Sequence, residues 1–178
     1  MGHISPVTIV QRAEKRPDKV FHANVISDGD PLEIYTDNDG GVIFRKYSPI
    51  GELGAFASQY ADVLYKVGGS PVVICDRDHV IAVSGISKKE LLERRVSPAL
   101  EEQMENRRSS AWAPGDGQPL QPVEGVDHYA LAQSPILAAG DVCGSVIFLQ
   151  GEENTGATPE QVKLAQAAAL FLGKQMEE

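Results

Sequence analysis

Residues 31–47 constrain the fold more than any other stretch, because two runs of alternating apolar and polar side chains flank a turn sequence. The runs are Pro31–Thr36 and Val42–Tyr47, and Asp-Asn-Asp-Gly-Gly stands between them. Period-two alternation buries one face of a strand, while Asp, Asn and Gly adopt turn conformations readily. Pro31 suits the first position of a strand, where its missing N–H is tolerated. The segment therefore predicts a β-hairpin.

A helix is predicted directly after the hairpin. Ser48 and Pro49 match an N-cap followed by a first-turn proline, and Gly68-Gly69 matches a helix end. Apolar residues recur between them at spacings of three and four: Ile50, Leu53, Ala57, Tyr60, Leu64 and Val67. A heptad seam this short cannot support a freestanding coiled coil. Two interpretations therefore remain: the helix packs on its own domain, or it forms a helix-to-helix dimer.

The remaining sequence alternates short β-branched runs with capped helical patterns. Strands are predicted at 71–75, 79–83, 129–133, 134–138 and 142–150. Helices are predicted from Ser87, from Ser97 to about Arg107, and from Thr158, the last with Val162, Ala165, Ala169, Leu172 and Met176 on one face. A loop rich in Pro and Gly is predicted at 109–125. The fold class is therefore α+β, with an antiparallel sheet flanked by helices.

The charge distribution limits contact with nucleic acid to one short region. The formal net charge is −9, which argues against binding of phosphates by the protein as a whole. Within residues 1–24 the four cations Arg12, Lys15, Arg16 and Lys19 outnumber two acids, a local excess of +2. This excess indicates either a polyanion contact or an ordinary solvated segment of mixed charge.

Catalytic and metal-binding motifs are not found in the sequence. It contains no nucleophile elbow, phosphate loop, dinucleotide fingerprint or zinc spacing, and Asp76-Arg77-Asp78 is typical of a turn. Cys75 and Cys143 stand in apolar runs and are predicted to be buried strand thiols. We expect no enzyme activity, cofactor, metal or membrane contact, and a cytoplasmic location.

Several blocks of sequence, in one order, resemble a known family. They are 29–34, 45–50, 52–54, 60–62, 74–78, 81–85 and 87–90. Together they resemble the stage V sporulation protein T family of transcriptional regulators, from about Asp28 to the end of the chain.

The resemblance implies a two-part DNA-binding regulator of sporulation genes, an activator or a repressor. An AbrB-type swapped-hairpin β-barrel is expected at 1–47, a linker and dimerisation helix at 48–68, and a GAF sensor domain at 69–178. The implied partners are double-stranded DNA, an unknown small ligand and further copies of the chain, as a homodimer or homotetramer.

The first half of the swapped hairpin departs from the family pattern. The family has an apolar strand ending in proline there, whereas this chain has charged residues at 14–16 within Arg12–His22. Charged residues weaken a strand that must bury one face. The DNA-contacting role is carried over to Arg12, Lys15, Arg16 and Lys19. One alternative is a GAF ligand-binding or oligomerisation module whose DNA-binding part has decayed. Another is an enzyme on the GAF fold, such as a sulfoxide reductase using Cys75 or Cys143.

Three residues are predicted to contact the sensor ligand. Trp112 is the bulky residue of the 109–125 loop, and Ser84 and Ser134 stand near strand ends. The alternative is that Trp112 is a packing anchor and that both serines are turn residues.

Overall fold

The computed structural model describes residues 32–36, 42–153 and 155–177. The chain divides into two compact units, one within residues 1–46 and one spanning residues 47–178.

The first unit contains a two-stranded antiparallel hairpin. Strand β1 is Leu32–Thr36 and strand β2 is Val42–Lys46, with Leu32 opposite Lys46. This pairing confirms the predicted hairpin strands. The predicted turn at 37–41 and the first half of the predicted swapped hairpin lie outside the described residues.

The second unit is built on a five-stranded antiparallel sheet. Its strands are β3 (Val72–Cys75), β4 (Val80–Ser84), β5 (Ser110–Ala111), β6 (Ala130–Ala138) and β7 (Asp141–Leu149). Their order across the sheet is β4-β3-β7-β6-β5. The helices are α1 (Pro49–Glu52), α2 (Gly54–Gly68), α3 (Lys88–Leu91), α4 (Pro98–Glu105) and α5 (Pro159–Gln175).

The two faces of this sheet are covered by different elements. One face, represented by Ile74 and Phe148, packs against α2 and α5. The other, represented by Val73 and Ile147, packs against α3, α4 and the segment around Val123. Because successive residues of a strand point to opposite faces, each strand contributes to both cores.

The predicted single helix from Pro49 to Gly68 is broken, so that prediction was wrong in one detail. Leu53 separates α1 from α2, and its N–H donates to the Ile50 carbonyl at 3.1 Å, a tight i to i−3 bond. Gly51 and Gly54 flank the break, and glycine has low helix propensity. The predicted end is confirmed, since Gly69 adopts the left-handed conformation at φ 71°.

The helix predicted from Ser87 is only four residues long. After Leu91 the chain turns onto β4, where the Glu93 N–H donates to the Val80 carbonyl and the Val80 N–H donates to the Arg94 carbonyl, both at 2.9 Å. These bonds to the strand end the helix early. The helices predicted from Ser97 and Thr158 are confirmed with their caps.

The strands predicted at 129–133 and 134–138 form the single strand β6. Pro135 lies in its middle, opposite Ser145 of β7. The strand continues through the proline because β5 pairs only with Ala132 and Gln133, so its other neighbour ends before Pro135.

Candidate functional site

A cavity of about 690 Å³ lies at the edge of the sheet that strand β5 forms, beside α4. Its walls are the start of α4, strand β5, the loop after β5 and the start of β6. The lining residues are Ser97, Pro98, Ala99, Gln103, Ser110, Ala111, Trp112, Asp116, Gln118, Pro119, Leu120, Gln121, Ala130 and Leu131. We call this space the α4–loop cavity. Its size falls in the range of small-molecule sites.

Ser97 connects two walls of the cavity. Its Oγ accepts a hydrogen bond from the Leu100 N–H at 3.1 Å, which caps α4. The same hydroxyl donates to the Gln121 carbonyl at 2.6 Å. The Ser97 N–H donates to the Pro122 carbonyl at 2.9 Å. One residue therefore fixes the start of the helix against the loop.

Trp112 anchors the other end of the loop. Its N–H donates to the Leu131 carbonyl at 2.7 Å, and its indole Nε1–H donates to the Gly117 carbonyl at 3.0 Å. Asp116 Oδ2 accepts from the Ala113 N–H at 2.9 Å, which closes a turn inside the loop. Because these bonds are internal to the loop and the sheet, the wall is formed without a ligand.

A buried polar network lies beside the cavity in the sheet. Gln133 is 1% exposed, and its Nε2 donates to Ser145 Oγ at 2.8 Å. The Ser145 hydroxyl donates to the Ser134 carbonyl at 3.0 Å. Ser110, which lines the cavity, approaches Gln133 Oε1 at 3.5 Å. Buried polar groups that satisfy one another in this way specify one arrangement of the strands.

The three predicted ligand-contacting residues are not brought together. Trp112 lines the cavity. Ser84 is opposite Val72 in the sheet, on the face covered by α2 and α5, and its hydroxyl donates to Asp62 Oδ1 at 2.6 Å. Ser134 is opposite Val146 on that same face. Neither serine is among the residues that line the cavity.

Sequence reasoning missed most of the polar wall. Gln103, Gln118 and Gln121 line the cavity, but their positions on a helix and in a loop gave no periodic signal. The only available signal was the concentration of Gln and Pro between Gln118 and Val123.

The cysteines are poorly suited to thiolate chemistry. Cys75 is fully buried, and burial together with the neighbouring Asp76 carboxylate raises the pKa of its thiol far above the ordinary value. Burial also raises the pKa of the Cys143 thiol. Because a thiolate is the reactive form of cysteine, these shifts weigh against the sulfoxide reductase alternative.

The predicted dimerisation seam is divided between the core and the surface. Ile50, Ala57 and Leu64 are buried in the core of their own unit. Tyr60 is partly buried, whereas Val67 is 67% exposed. Because Ile50, Ala57 and Leu64 are buried, they favour the interpretation in which the helix packs on its own domain.

A second apolar stripe on α2 is exposed. Phe56, Tyr60, Val63 and Val67 follow one another at spacings of four, three and four, and Phe171 of α5 stacks beside them. Phe171 lies 6.0 Å from Phe56 and 5.6 Å from Tyr60, between ring centroids. We call these five residues the α2–α5 patch.

Other predicted sites are limited as follows. The DNA-contacting residues Arg12, Lys15, Arg16 and Lys19 lie outside the described residues. Asp76, in the predicted turn, accepts from the N–H groups of Asp78 and His79 at 2.7 and 2.6 Å.

Among the residues that the structure places, no group of three His, Cys, Asp or Glu could hold a metal ion. In the described part of the chain, no helix is long and apolar enough to cross a membrane.

The antiparallel sheet of the second unit, with its flanking helices, has a GAF-like fold. The GAF domain/HD domain protein from Geobacter sulfurreducens is similar over 74% of this chain and 99% of that chain, with a TM-score of 0.52 at 16% identity. The cofactor binding GAF domain of the nutrient sensor CodY from Clostridium difficile is similar over 67% of this chain and 83% of that chain, with a TM-score of 0.46 at 14% identity.

Sequence comparison identifies the family. The family described as "Stage V sporulation protein T C-terminal, transcription factor" matches residues 52–177. Stage V sporulation protein T of Bacillus subtilis (strain 168) is 43% identical over 164 residues, which are 91% of this chain and 90% of that protein. The family match covers most of the chain, and the sequence similarity extends beyond it. The chain therefore belongs to the stage V sporulation protein T family of transcription factors.

Proposed function

We propose that this chain regulates sporulation genes by binding double-stranded DNA through residues 1–47 and a small ligand through its GAF domain. The similarity to a sporulation protein over 91% of the chain supports the regulatory half. The preformed α4–loop cavity is the observation that carries the sensing half. This role implies a cytoplasmic location.

We assign DNA contact to Arg12, Lys15, Arg16 and Lys19. Residues 1–50 hold six Lys/Arg and seven Asp/Glu, so the other 128 residues hold ten against eighteen, a net charge of −8. Because the acidic charge is concentrated after residue 50, the N-terminal cations are the part of the chain best suited to approach phosphates.

A salt-dependent fluorescence titration with duplex DNA tests this assignment. Replacing the four cations by Gln in the full chain should weaken binding at low salt. It should also reduce the slope of log affinity against log salt by about 0.9 for each phosphate that the variant no longer neutralises. The matched control replaces four exposed cations of the GAF unit by Gln: Lys88, Lys89, Arg94 and Lys163.

The control should keep the salt slope of the unchanged chain, because it leaves the N-terminal cations intact. Equal affinities and salt slopes for both variants would contradict the DNA-binding role. That result would favour the alternative, a ligand-binding or oligomerisation module with a decayed DNA-binding part, which the charged residues at 14–16 support.

We further infer that two copies of the chain associate through the α2–α5 patch. Val63 and Val67 are 53% and 67% exposed, and Phe56 and Phe171 are also exposed at the same surface. Contiguous exposed apolar side chains of this kind are typical of protein interfaces. Because the buried seam residues already contact their own sheet, this neighbouring stripe is the part of α2 available to a second copy.

A further inference from the structure

The wall of the α4–loop cavity carries almost no charge. Among the residues that the structure describes, Asp116 is the only charged one in the lining, which includes no Lys, Arg or His. The polar groups are instead three glutamines and two serines, placed among prolines, alanines, leucines and Trp112. Most ligand sites combine an apolar wall with a few polar groups in this way, and those groups decide which ligands bind.

The glutamines supply unused hydrogen-bonding groups. The side chain of Gln103 makes no hydrogen bond to another residue within the described ranges and is half-buried at the cavity. Gln121 donates through Nε2 to the Val126 carbonyl at 2.7 Å, which leaves its Oε1 as an acceptor. An amide offers both donors and acceptors without a net charge. Hydroxyl and amide groups of a ligand are its natural partners.

An anion would find little compensation in this cavity. The start of α4 provides a partial positive charge of about one half. Its Leu100 N–H is already bonded to Ser97 Oγ, and the Asp116 carboxylate lies on the same wall. Without a cationic side chain, the desolvation of a phosphate or carboxylate is poorly offset.

We propose that the α4–loop cavity binds an uncharged small molecule with hydroxyl or amide groups, and that it discriminates against phosphate esters. The inference rests on the proposed sensing function. Nucleosides and monosaccharides share this chemistry, because both carry several hydroxyl groups and no charge.

Trp112 makes the test direct, because it is the single tryptophan of the chain. Its fluorescence in the full chain can be followed during titration with four ribonucleosides and with neutral hexoses, each paired with its own monophosphate ester. Calorimetry on the same pairs measures heat, so light absorption by the nucleobases does not affect it. At least one neutral compound should bind about tenfold more tightly than its ester. The series that binds, ribonucleosides or hexoses, identifies the class of the ligand.

Two variants test the role of wall charge. Asp116→Asn keeps an acceptor for the Ala113 N–H and removes the carboxylate, so the preference for the neutral compound should fall severalfold. Glu102→Gln removes an exposed carboxylate from the same region, on α4 but outside the cavity, and should leave the preference unchanged. Far-ultraviolet circular dichroism verifies the folding of both.

Tighter binding of an ester, or binding of no compound in either arm, would overturn the inference. An equal effect of Asp116→Asn and Glu102→Gln would also overturn it, because a general charge effect would then explain the preference. None of these results bears on the DNA titration, so failure of the ligand class and failure of the proposed regulator are distinguishable.

Discussion

Gly144 on β7 marks a place where two strands approach unusually closely. A Cβ atom at this position would collide with the Cys75 carbonyl and the neighbouring backbone of β3. Since the obstacle is backbone, it cannot rotate away. We expect Gly144→Ala to lower the free energy of unfolding by about 1–3 kcal/mol.

Urea denaturation measures this effect. Gly54→Ala is the matched control, because no atom lies within 4 Å of the added Cβ and the residue is helical. The control should be neutral or stabilising by up to about 1 kcal/mol. Equal unfolding midpoints for the two variants would show that the strands separate easily.

The buried Cys75 thiol makes stability depend on alkaline pH. Burial raises its pKa in the folded state, whereas an unfolded thiol titrates near about 8.5. The folded chain therefore retains a proton that the unfolded chain releases, and the stabilisation is complete below that pH and lost as pH rises above it. Cys75→Ala should reduce the loss of stability between neutral and alkaline pH.

Urea unfolding at pH values below and above the ordinary thiol pKa measures the difference. Cys143→Ala is the comparison, because Cys143 is only half-buried and should contribute less. An unchanged pH dependence in Cys75→Ala would mean that another group is responsible. Both variants also lose side-chain volume, so the comparison uses the change with pH and not the absolute stability.

At the scale of the element, the start of α4 joins helix stability to the shape of the cavity. Ser97→Ala removes the cap and the bond to the Gln121 carbonyl, and should cost about 1–2 kcal/mol. Thr158→Ala removes the corresponding cap of α5, whose Oγ1 accepts from the Gln161 N–H at 3.2 Å. Both should lower the urea midpoint, and Ser97→Ala should lower it more, because it also breaks the bond to the loop.

Equal midpoints for the two variants would contradict a contribution of the bond between Ser97 and the loop. The two variants are matched, because both residues are hydroxyl caps followed by proline.

We expect the exposed stripe of α2 to determine the association of two copies of the chain. Val63→Glu and Val67→Glu place a charge on the α2–α5 patch at little cost to the core, since both side chains are more than half exposed. Sedimentation velocity should show a shift toward smaller species. Leu92→Glu, at an exposed apolar residue after α3, is the control and should sediment as the unchanged chain does. Identical profiles for all three would exclude the patch as an interface.

Local sequence chemistry predicted most elements of the sheet unit but not their exact extent. The caps at Ser97 and Thr158 and the helix end at Gly69 were correct because neighbouring residues alone determine them. The short helix α3 and the uninterrupted β6 depend on pairing with residues far away in sequence, which no local pattern contains.

The candidate site was predictable only in part for the same reason. Trp112 stood out as the one large residue of its loop. Ser84 and Ser134 were chosen for their position near strand ends, but the face on which a strand residue lies depends on register. Register was fixed by partners on β3 and β7, so both serines belong to the face that α2 and α5 cover and neither lines the cavity.

At the scale of the whole molecule, charge separates the two proposed activities along the chain. A net charge of −8 after residue 50 repels phosphates from the GAF unit, while the N-terminal cations remain able to approach them. The sequence of the GAF unit can therefore vary without creating a second contact with DNA that competes with the N-terminal one.

The unequal covering of the two sheet faces has a consequence for how such a protein diverges. On one face, α5 packs through Ala165, Ala168, Ala169 and Gly173, and a Cβ at Gly173 would meet the Leu137 carbonyl. That face tolerates few replacements. The cavity is lined instead by a short helix and a loop, where Pro98, Asp116 and Gln118 are exposed. Descendants of one ancestor are thus free to change what they sense while inheriting the same scaffold.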